Sequence, residues 1–306
     1  MSMVAGSSAK AGEPAVLGFR AMSFTDPSSF RLPRLRFLPV EQLVPHEQQD
    51  DRRTGALTSR LKDSGVLKNP PVVTSAEAIG DPRYVVLDGA NRVATLKAAG
   101  FPHAVVQIVD YDDSGVRLTT WHHALTHDLG TEIEKAIGSI PGLSVREMDL
   151  THARALLARR EAIAFLVRAN ACALSLHGGQ DLHERNSLLN AVVDRYRSRV
   201  PYYRVTRDSL EDARARYPDV QSLLVFPHFH PEEILEVALS GARLPAGITR
   251  HVIAWRALRL NLPLNLMADR DRTLDEKNRW LEQWIADRTA TSSVRFYEES
   301  TVLFDE

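Results

Sequence analysis

The chain has 306 residues, which is enough to bury a sizeable core and to form one to three domains. Hydrophobic residues make up 44% and charged residues 25% of the chain, and the formal net charge of -1 argues against broad electrostatic binding to a polyanion. The only cysteine, Cys172, excludes an internal disulfide, and this composition is typical of a cytoplasmic protein. The N-terminal segment predicts neither a signal peptide nor a membrane span, because it lacks a long apolar run.

The first half of the chain predicts a flexible arm over residues 1–32 and a compact domain over residues 33–148. Leu57, Leu61 and Val66 recur at helical spacing, with Gly65 as the expected helix end. Strand patterns follow at 72–74, 84–87 and 104–109, and a helical pattern covers 91–99. This mixture of strands and helices indicates an α/β (α+β) fold.

Residues 149–306 predict a second, mixed α/β domain that completes the site. An amphipathic helix is expected over 182–200, where Pro201 stops it, and another helix between Pro231 and Gly241. A further helical pattern covers residues 271–288, and a strand-like tail follows at 293–304.

The segment VVLDGANR, residues 85–92, places polar residues where a predicted strand turns into a predicted helix. The first amides of a helix have no intrahelical acceptor, and together with the helix dipole they favour an anion. Gly89 permits close approach of the backbone, and Arg92 offers a planar cation suited to phosphate oxygens. Asp88 is placed to orient Arg92 or to bind a divalent ion between phosphates. The chemistry alone leaves open a plain helix cap, with Asp88 and Arg92 in structural roles.

Four segments carry a family resemblance, namely LVPHE (43–47), GVLKNPPVV (65–73), VVLDGANR (85–92) and AAG (98–100). Their order resembles the ParB/sulfiredoxin-like fold, and within that fold the free L-serine kinases, over roughly residues 35–125. The resemblance implies a ParB/sulfiredoxin-like N-terminal domain and a kinase that converts L-serine to O-phospho-L-serine. It also implies ADP or ATP as the phosphoryl donor, together with Mg²⁺.

The resemblance further implies roles for individual residues. Glu47 corresponds to the acidic residue that activates the serine hydroxyl. The implied phosphate-binding set is Asp88, Gly89, Ala90, Asn91 and Arg92, joined by Thr249, Arg250 and His251 near the C-terminus. His46, Trp121 and His123 are the candidate substrate contacts, and Asp88 is the candidate metal ligand. The family motif has two histidines where this chain has Ala90 and Asn91, a departure that concerns the substrate more than the phosphate site.

Two other interpretations stay open. In the first, the chain is a ParB-like nucleotide-binding regulator of transcription or partition that binds DNA. Against it, acidic residues balance the basic ones after residue 149, and no crisp helix-turn-helix pattern occurs. In the second, the kinase fold is kept, and another small hydroxyl-bearing molecule takes the place of serine.

Overall fold

The structure is a computed structural model, and it describes residues 32–49, 64–126, 130–170 and 172–297. The predicted N-terminal arm lies almost wholly outside these ranges, as do Leu57 and Leu61 of the first predicted helix. Between Leu32 and Arg295 the described residues group into one compact unit. None of the helices in these ranges is both long enough and apolar enough to cross a membrane.

Five strands precede the first described α-helix, and strands and helices are interspersed along the rest of the chain. The strands are β1 (Arg34–Pro39), β2 (Leu43–Pro45), β3 (Val66–Leu67), β4 (Val72–Ser75), β5 (Tyr84–Asp88), β6 (His103–Ile108), β7 (Val116–Thr120), β8 (His122–Leu125), β9 (Ser144–Asp149), β10 (Ala164–Val167), β11 (Cys172–His177), β12 (Tyr202–Val205), β13 (Ser222–Val225), β14 (Thr249–Ile253) and β15 (Leu262–Pro263). The helices are α1 (Ala90–Ala98), α2 (Gly130–Gly138), α3 (Leu150–Ala158), α4 (Leu182–Asp194), α5 (Leu210–Arg216), α6 (Pro231–Leu239), α7 (Leu264–Ala268) and α8 (Leu274–Ala290).

A five-stranded mixed sheet forms around the VVLDGANR segment, with its strands in the order β1-β6-β4-β5-β2. The β2–β5 and β4–β6 pairs are parallel, and the β1–β6 and β4–β5 pairs are antiparallel. Successive side chains of a strand point to opposite faces of the sheet, and both faces of this sheet are covered. On β6, Val106 packs in one cluster with Val93 of α1, whereas Val105 packs in another with Leu281 of α8.

A second sheet of six strands is antiparallel throughout, in the order β12-β8-β13-β10-β11-β9. Its two faces bury different helices. On β10, Leu166 packs in the cluster that includes α4 and α6, and Phe165 packs in the cluster that includes α3 and α5. This sheet contains β8, which precedes residue 148, so it takes strands from both predicted domains. The division at residue 148 stays a prediction, and the sheet does not follow it.

Two small ribbons bring late segments of the chain against early ones. Strand β14 pairs antiparallel with β7, and β15 pairs antiparallel with β3. In addition, a parallel bridge joins Glu47 to Leu244. Through these contacts the segment from residue 244 to residue 253 lies beside the first sheet, next to the end of β2.

Most of the predicted elements are confirmed, since β4, β5, β6, α1, α6 and α8 occupy the expected places. Val66 is an exception. Gly65 has a φ of +62°, which ends the helical backbone at Ser64, and Val66 then begins β3. The left-handed conformation at Gly65 therefore marks the helix end as predicted, but it also separates Val66 from that helix.

The predicted helix over 182–200 is wrong at its end. Helix α4 stops at Asp194, and the amides of Arg195 and Tyr196 bond only three residues back, to Val192 and Val193. These tighter bonds turn the chain and bury the Tyr196 ring in the core. The predicted strand-like tail is also wrong over residues 293–297, which form no strand, and its remainder lies outside the described residues.

Candidate active site

Glu47 and Asp88 follow the ends of two neighbouring parallel strands. The last register pair between β2 and β5 joins Pro45 to Val86, and Glu47 and Asp88 each lie two residues farther along the chain. In open sheets, ligands bind in the crevice beyond the carboxyl ends of parallel strands. The sheet therefore places the predicted base and the predicted phosphate motif at one edge.

The turn from β5 into α1 depends on Gly89. This residue has a φ of +90°, a backbone conformation that residues other than glycine rarely adopt. A Cβ atom at this position would also lie 2.9 Å from Nη2 of Arg92. Ala90 and Asn91 form the first turn of α1, directly after this glycine, so the first amides of the helix lie beside Asp88.

Asp88 lies between two arginines. Its Oδ2 atom accepts a 2.6 Å hydrogen bond from Nη2 of Arg92 and another hydrogen bond from Nη2 of Arg256. The Asn69 carbonyl accepts a 2.7 Å hydrogen bond from Arg92 and fixes that guanidinium further. Burial pushes the pKa of Asp88 upward, but the charges of Arg92 and Arg256 outweigh it and hold this pKa below its ordinary value of 3.8. The cluster has more positive than negative charge, which favours an anion at the start of α1.

Sequence reasoning missed Arg256, which follows β14 in an irregular segment. The Gln107 side chain on β6 places it by accepting from the Ala257 amide at 2.9 Å and donating to the Trp255 carbonyl at 3.1 Å. These two bonds fix the backbone on both sides of Arg256. No local motif marks this arrangement, because its parts are about 150 residues apart in the sequence.

The Glu47 carboxylate is bound by the segment that precedes and begins β14. Oε2 accepts from the Gly247 amide at 2.8 Å, and Oε1 accepts from the amide and the hydroxyl of Thr249 at 2.8 and 2.5 Å. The side chain remains 16% exposed, so Glu47 is partly accessible from solvent. The described residues thus hold Glu47 in one orientation without pairing it to a lysine or an arginine.

His46, Thr249 and Glu47 form a chain of short hydrogen bonds. Nδ1 of His46 lies 2.6 Å from the Val86 carbonyl and therefore carries a proton, and Nε2 lies 2.6 Å from the Thr249 hydroxyl. This hydroxyl has one proton to donate, yet it also lies 2.5 Å from Glu47. The hydroxyl can donate to only one of these two partners at a time. Thr249 therefore links the Glu47 carboxylate to the His46 ring.

Gly247 is fixed on both sides by hydrogen bonds. Its amide donates to Glu47, and its carbonyl accepts from Nε2 of His123 at 3.1 Å. Nδ1 of His123 accepts in turn from the Tyr196 hydroxyl at 2.6 Å. Burial lowers the pKa of His123 to about 3, so the ring is neutral and can accept this bond. Because both ring nitrogens are occupied, the geometry favours a positioning role for His123, and its substrate contact stays a prediction.

Successive residues of β14 face opposite sides, as strand geometry requires. His251 lies on the same side as His46, with the two ring centroids 5.2 Å apart, and its Nε2 atom pairs with the Tyr111 hydroxyl at 2.7 Å. Burial, and then the nearby His46, lower the pKa of His251 to about 3. At neutral pH this ring is uncharged, which weakens its predicted role as a phosphate-binding cation.

Arg250 and Trp121 form a separate pair. The Arg250 guanidinium lies 4.7 Å from the Trp121 ring centroid, a cation–π distance. The Trp121 amide also donates to the Ile248 carbonyl at 2.9 Å. The structure therefore brings these two predicted site residues together, although neither the cation–π contact nor the bond to Ile248 joins them to Glu47 or Asp88.

The described residues do not form a protein-held metal centre. Within the described ranges, no group of three or more His, Cys, Asp or Glu side chains is arranged to hold a metal ion. Asp88 already accepts hydrogen bonds from Arg92 and Arg256. This arrangement does not fit a magnesium ion bound by the protein alone, and the contact between Asp88 and Mg²⁺ stays a prediction.

Comparisons with known proteins point in one direction. No family model matches the chain. The ATP-dependent L-serine kinase SbnI of Staphylococcus aureus is 25% identical over 276 residues, which cover 89% of this chain and 97% of that protein. The ADP-dependent L-serine kinase SerK of Thermococcus kodakarensis is 25% identical over 229 residues, which cover 74% of this chain and 90% of that protein.

A solved structure of free serine kinase in complex with AMP superposes with a TM-score of 0.66 at 22% identity, over 78% of this chain and 95% of that one. The predicted mixed α/β class is therefore confirmed, and so is the predicted resemblance to the L-serine kinases. The chain has the fold of free serine kinase.

Proposed function

We propose that this chain is an L-serine kinase, which transfers a phosphoryl group from ATP or ADP to free L-serine and forms O-phospho-L-serine. The observation that carries the proposal is the placement of Glu47 and the Asp88–Arg92 turn beyond the ends of adjacent parallel strands. Curated relatives over most of the chain are L-serine kinases that use ATP or ADP, and this supports both donor and acceptor.

Glu47 is the general base of the proposed reaction. It accepts the proton of the serine hydroxyl while the hydroxyl oxygen forms a bond to the terminal phosphorus of the donor. The bond between that phosphorus and the bridging oxygen breaks, and ADP leaves if the donor is ATP, or AMP if it is ADP. The hydrogen bonds from Gly247 and Thr249 hold the carboxylate in place, and His46 can take up the proton through Thr249.

The start of α1 binds the donor phosphates in this proposal. The first amides of the helix, at Ala90 and Asn91, act together with Arg92 and Arg256. Because phosphoryl transfer requires mainly alignment and charge stabilisation, these fixed positive groups supply much of what the reaction needs. Mg²⁺ that entered with the nucleotide would supply positive charge to the donor phosphates, and Asp88 stays the predicted contact for it.

The remaining predicted site residues fall into two groups. Thr249, His46 and His123 act on Glu47 or on the loop that binds it, which favours positioning roles. Trp121, Arg250 and His251 stay candidates for contacts with the substrate or the nucleotide. A location in the cytoplasm also stays a prediction, and it rests on the cysteine content of the sequence.

The DNA-binding alternative is not favoured. The relatives SbnI and SerK, which match 89% and 74% of this chain, are L-serine kinases. The possibility of another hydroxyl-bearing acceptor comes from Ala90 and Asn91, which replace the two histidines of the family motif.

The test is a product assay. The protein is incubated with Mg²⁺ and either ATP or ADP, together with L-serine, L-threonine, L-homoserine or no acceptor, and the phosphorylated product is identified by ³¹P NMR. We expect O-phospho-L-serine as the main product. Phosphorylation of a different acceptor would show that this compound, and not L-serine, is the substrate. Nucleotide binding with no phosphorylated product would contradict kinase activity.

A further inference from the structure

Arg204 lies against Gly247, the residue whose amide binds the candidate base. Arg204 is on β12, where it is paired in register with His123. An ideal Cβ atom on Gly247 would lie 2.1 Å from Cζ and Nη2 of Arg204, so the guanidinium occupies the space that any side chain at position 247 would need. The φ of +76° at Gly247 also favours glycine. This glycine therefore permits the close approach of Arg204.

The Arg204 guanidinium has no hydrogen-bond, ion-pair or cation–π partner in the described part of the chain. Other nearby arginines do have partners: Arg207 pairs with Asp212 at 3.0 Å, and Arg197 pairs with Asp194 at 3.1 Å. Arg204 is nevertheless half-buried. The nitrogen atoms of this guanidinium are not among the fully buried, unbonded polar atoms of the described residues, so an anionic ligand can reach the unpaired charge.

The position of Arg204 indicates which anion it binds. Gly247 is next to both charged groups, because its amide donates to the Glu47 carboxylate at 2.8 Å and its missing Cβ leaves space for the Arg204 guanidinium. In serine, only two carbon atoms separate the hydroxyl oxygen from the carboxylate carbon. An acceptor whose hydroxyl faces Glu47 therefore has its carboxylate within a few ångströms of the base, where a planar guanidinium can bind both oxygens.

We propose that Arg204 binds the α-carboxylate of the amino-acid acceptor and so selects free amino acids over simple alcohols. This assignment rests on the proposed kinase function and adds the group that recognises the acceptor. A donor phosphate is the other anion that could reach this guanidinium. The two ligands can be distinguished by kinetics. Loss of a carboxylate contact raises the KM for the amino acid, whereas loss of a phosphate contact raises the KM for the nucleotide.

The experiment compares R204Q with the wild-type protein and with R207Q, a matched control that removes an exposed arginine from the same region. Initial rates are measured against L-serine and against L-serinamide, in which a neutral amide replaces the carboxylate. For R204Q we expect the KM for L-serine to rise about 10- to 100-fold, the size expected for a lost charge-assisted hydrogen bond. The KM for the nucleotide should not change, and the preference for L-serine over L-serinamide should disappear. R207Q should behave as wild type.

An unchanged KM for L-serine in R204Q would overturn the assignment, and so would a rise in the KM for the nucleotide instead. R204K provides a second variant that keeps the charge but loses the planar fork, and it should show a smaller rise in the same KM. Thermal unfolding of each variant checks that it is folded. Equal initial rates of the wild type with L-serine and with L-serinamide would by themselves overturn the proposal. If the wild type phosphorylates no amino acid, the kinase proposal fails, which is a result distinct from all of these.

Discussion

At the scale of single residues, the site depends on groups that orient other groups. Glu47 is oriented by the amides of Gly247 and Thr249, and the Gly247 carbonyl is in turn fixed by His123. Likewise, Asp88 orients Arg92 and Arg256 rather than facing a ligand alone. These orienting residues affect the reaction by holding other groups in place. Substitutions at them should therefore show, through KM and kcat, whether binding or the chemical step depends on that placement.

Arg256 should contribute to nucleotide binding as strongly as Arg92. Each guanidinium makes a charge-assisted hydrogen bond to Asp88, so both positive charges lie next to the turn that leads into α1. We expect R256Q and R92A each to weaken ADP binding about 10- to 100-fold, measured by isothermal titration calorimetry. R259Q, at an exposed position in the same segment, should bind like the wild type. Unchanged ADP affinity in R256Q would remove Arg256 from the phosphate site.

His123 should contribute to the pH dependence of stability. Its pKa is lowered to about 3 in the folded state by burial, whereas an unfolded histidine titrates near 6.5. The unfolded state therefore binds more protons between these two values, and stability is present above pH 6.5 and is lost as the pH falls toward 3. One histidine accounts for a slope of at most about 1.4 kcal/mol per pH unit. H123Q should show a shallower loss between pH 6 and pH 4 in urea unfolding, and an unchanged slope would contradict the assignment.

At the scale of elements, the two late segments that complete the site are placed by contacts with two earlier strands. Strand β14 is positioned by its register with β7, which pairs Thr249 with Thr120. The segment after β14 is positioned by the side chain of Gln107 on β6, a strand of the first sheet. Strands β7 and β6 thus order these segments, in which Thr249 meets Glu47 and Arg256 meets Asp88.

Replacing Gln107 should loosen the segment that carries Arg256. In Q107L the Ala257 amide and the Trp255 carbonyl lose their hydrogen bonds to this side chain, and an unsatisfied buried group such as the Ala257 amide costs about 1–3 kcal/mol. We expect a lower free energy of unfolding in urea, and also weaker ADP binding than in the wild type. A variant that loses stability but keeps full ADP affinity would show that Gln107 does not position Arg256 for the nucleotide.

At the scale of the whole molecule, local sequence predicted only those parts of the site whose residues are adjacent in the sequence. The turn from Asp88 to Arg92 was recognisable because strand, glycine and helix follow one another directly. Glu47 was found through the order of segments in a known family. Arg204 and Arg256 were missed, because Arg204 approaches Gly247 and Arg256 binds Asp88 across wide gaps in sequence, and neither arginine lies in a local pattern.

The same limit explains the errors in the fold. Most local patterns predicted the correct element at the correct place, and these elements are β4, β5, β6, α1, α6 and α8. The sharing of β8 between early and late parts of the chain had no local signal, because strand pairing in the second sheet joins segments that are far apart in sequence. The early end of α4 at Asp194 follows from tertiary burial of Tyr196, which periodicity alone does not reveal.

The central claim is that Glu47 acts as the base for phosphoryl transfer to serine, and single-turnover formation of O-phospho-L-serine by E47Q tests it most directly. With nucleotide and L-serine saturating, E47Q should be slower than the wild type by about 100- to 10,000-fold, the usual contribution of a general base. Its ADP affinity by calorimetry should remain near that of the wild type, since Glu47 does not take part in the cluster around Asp88. Formation of O-phospho-L-serine by E47Q at the wild-type rate would contradict the account.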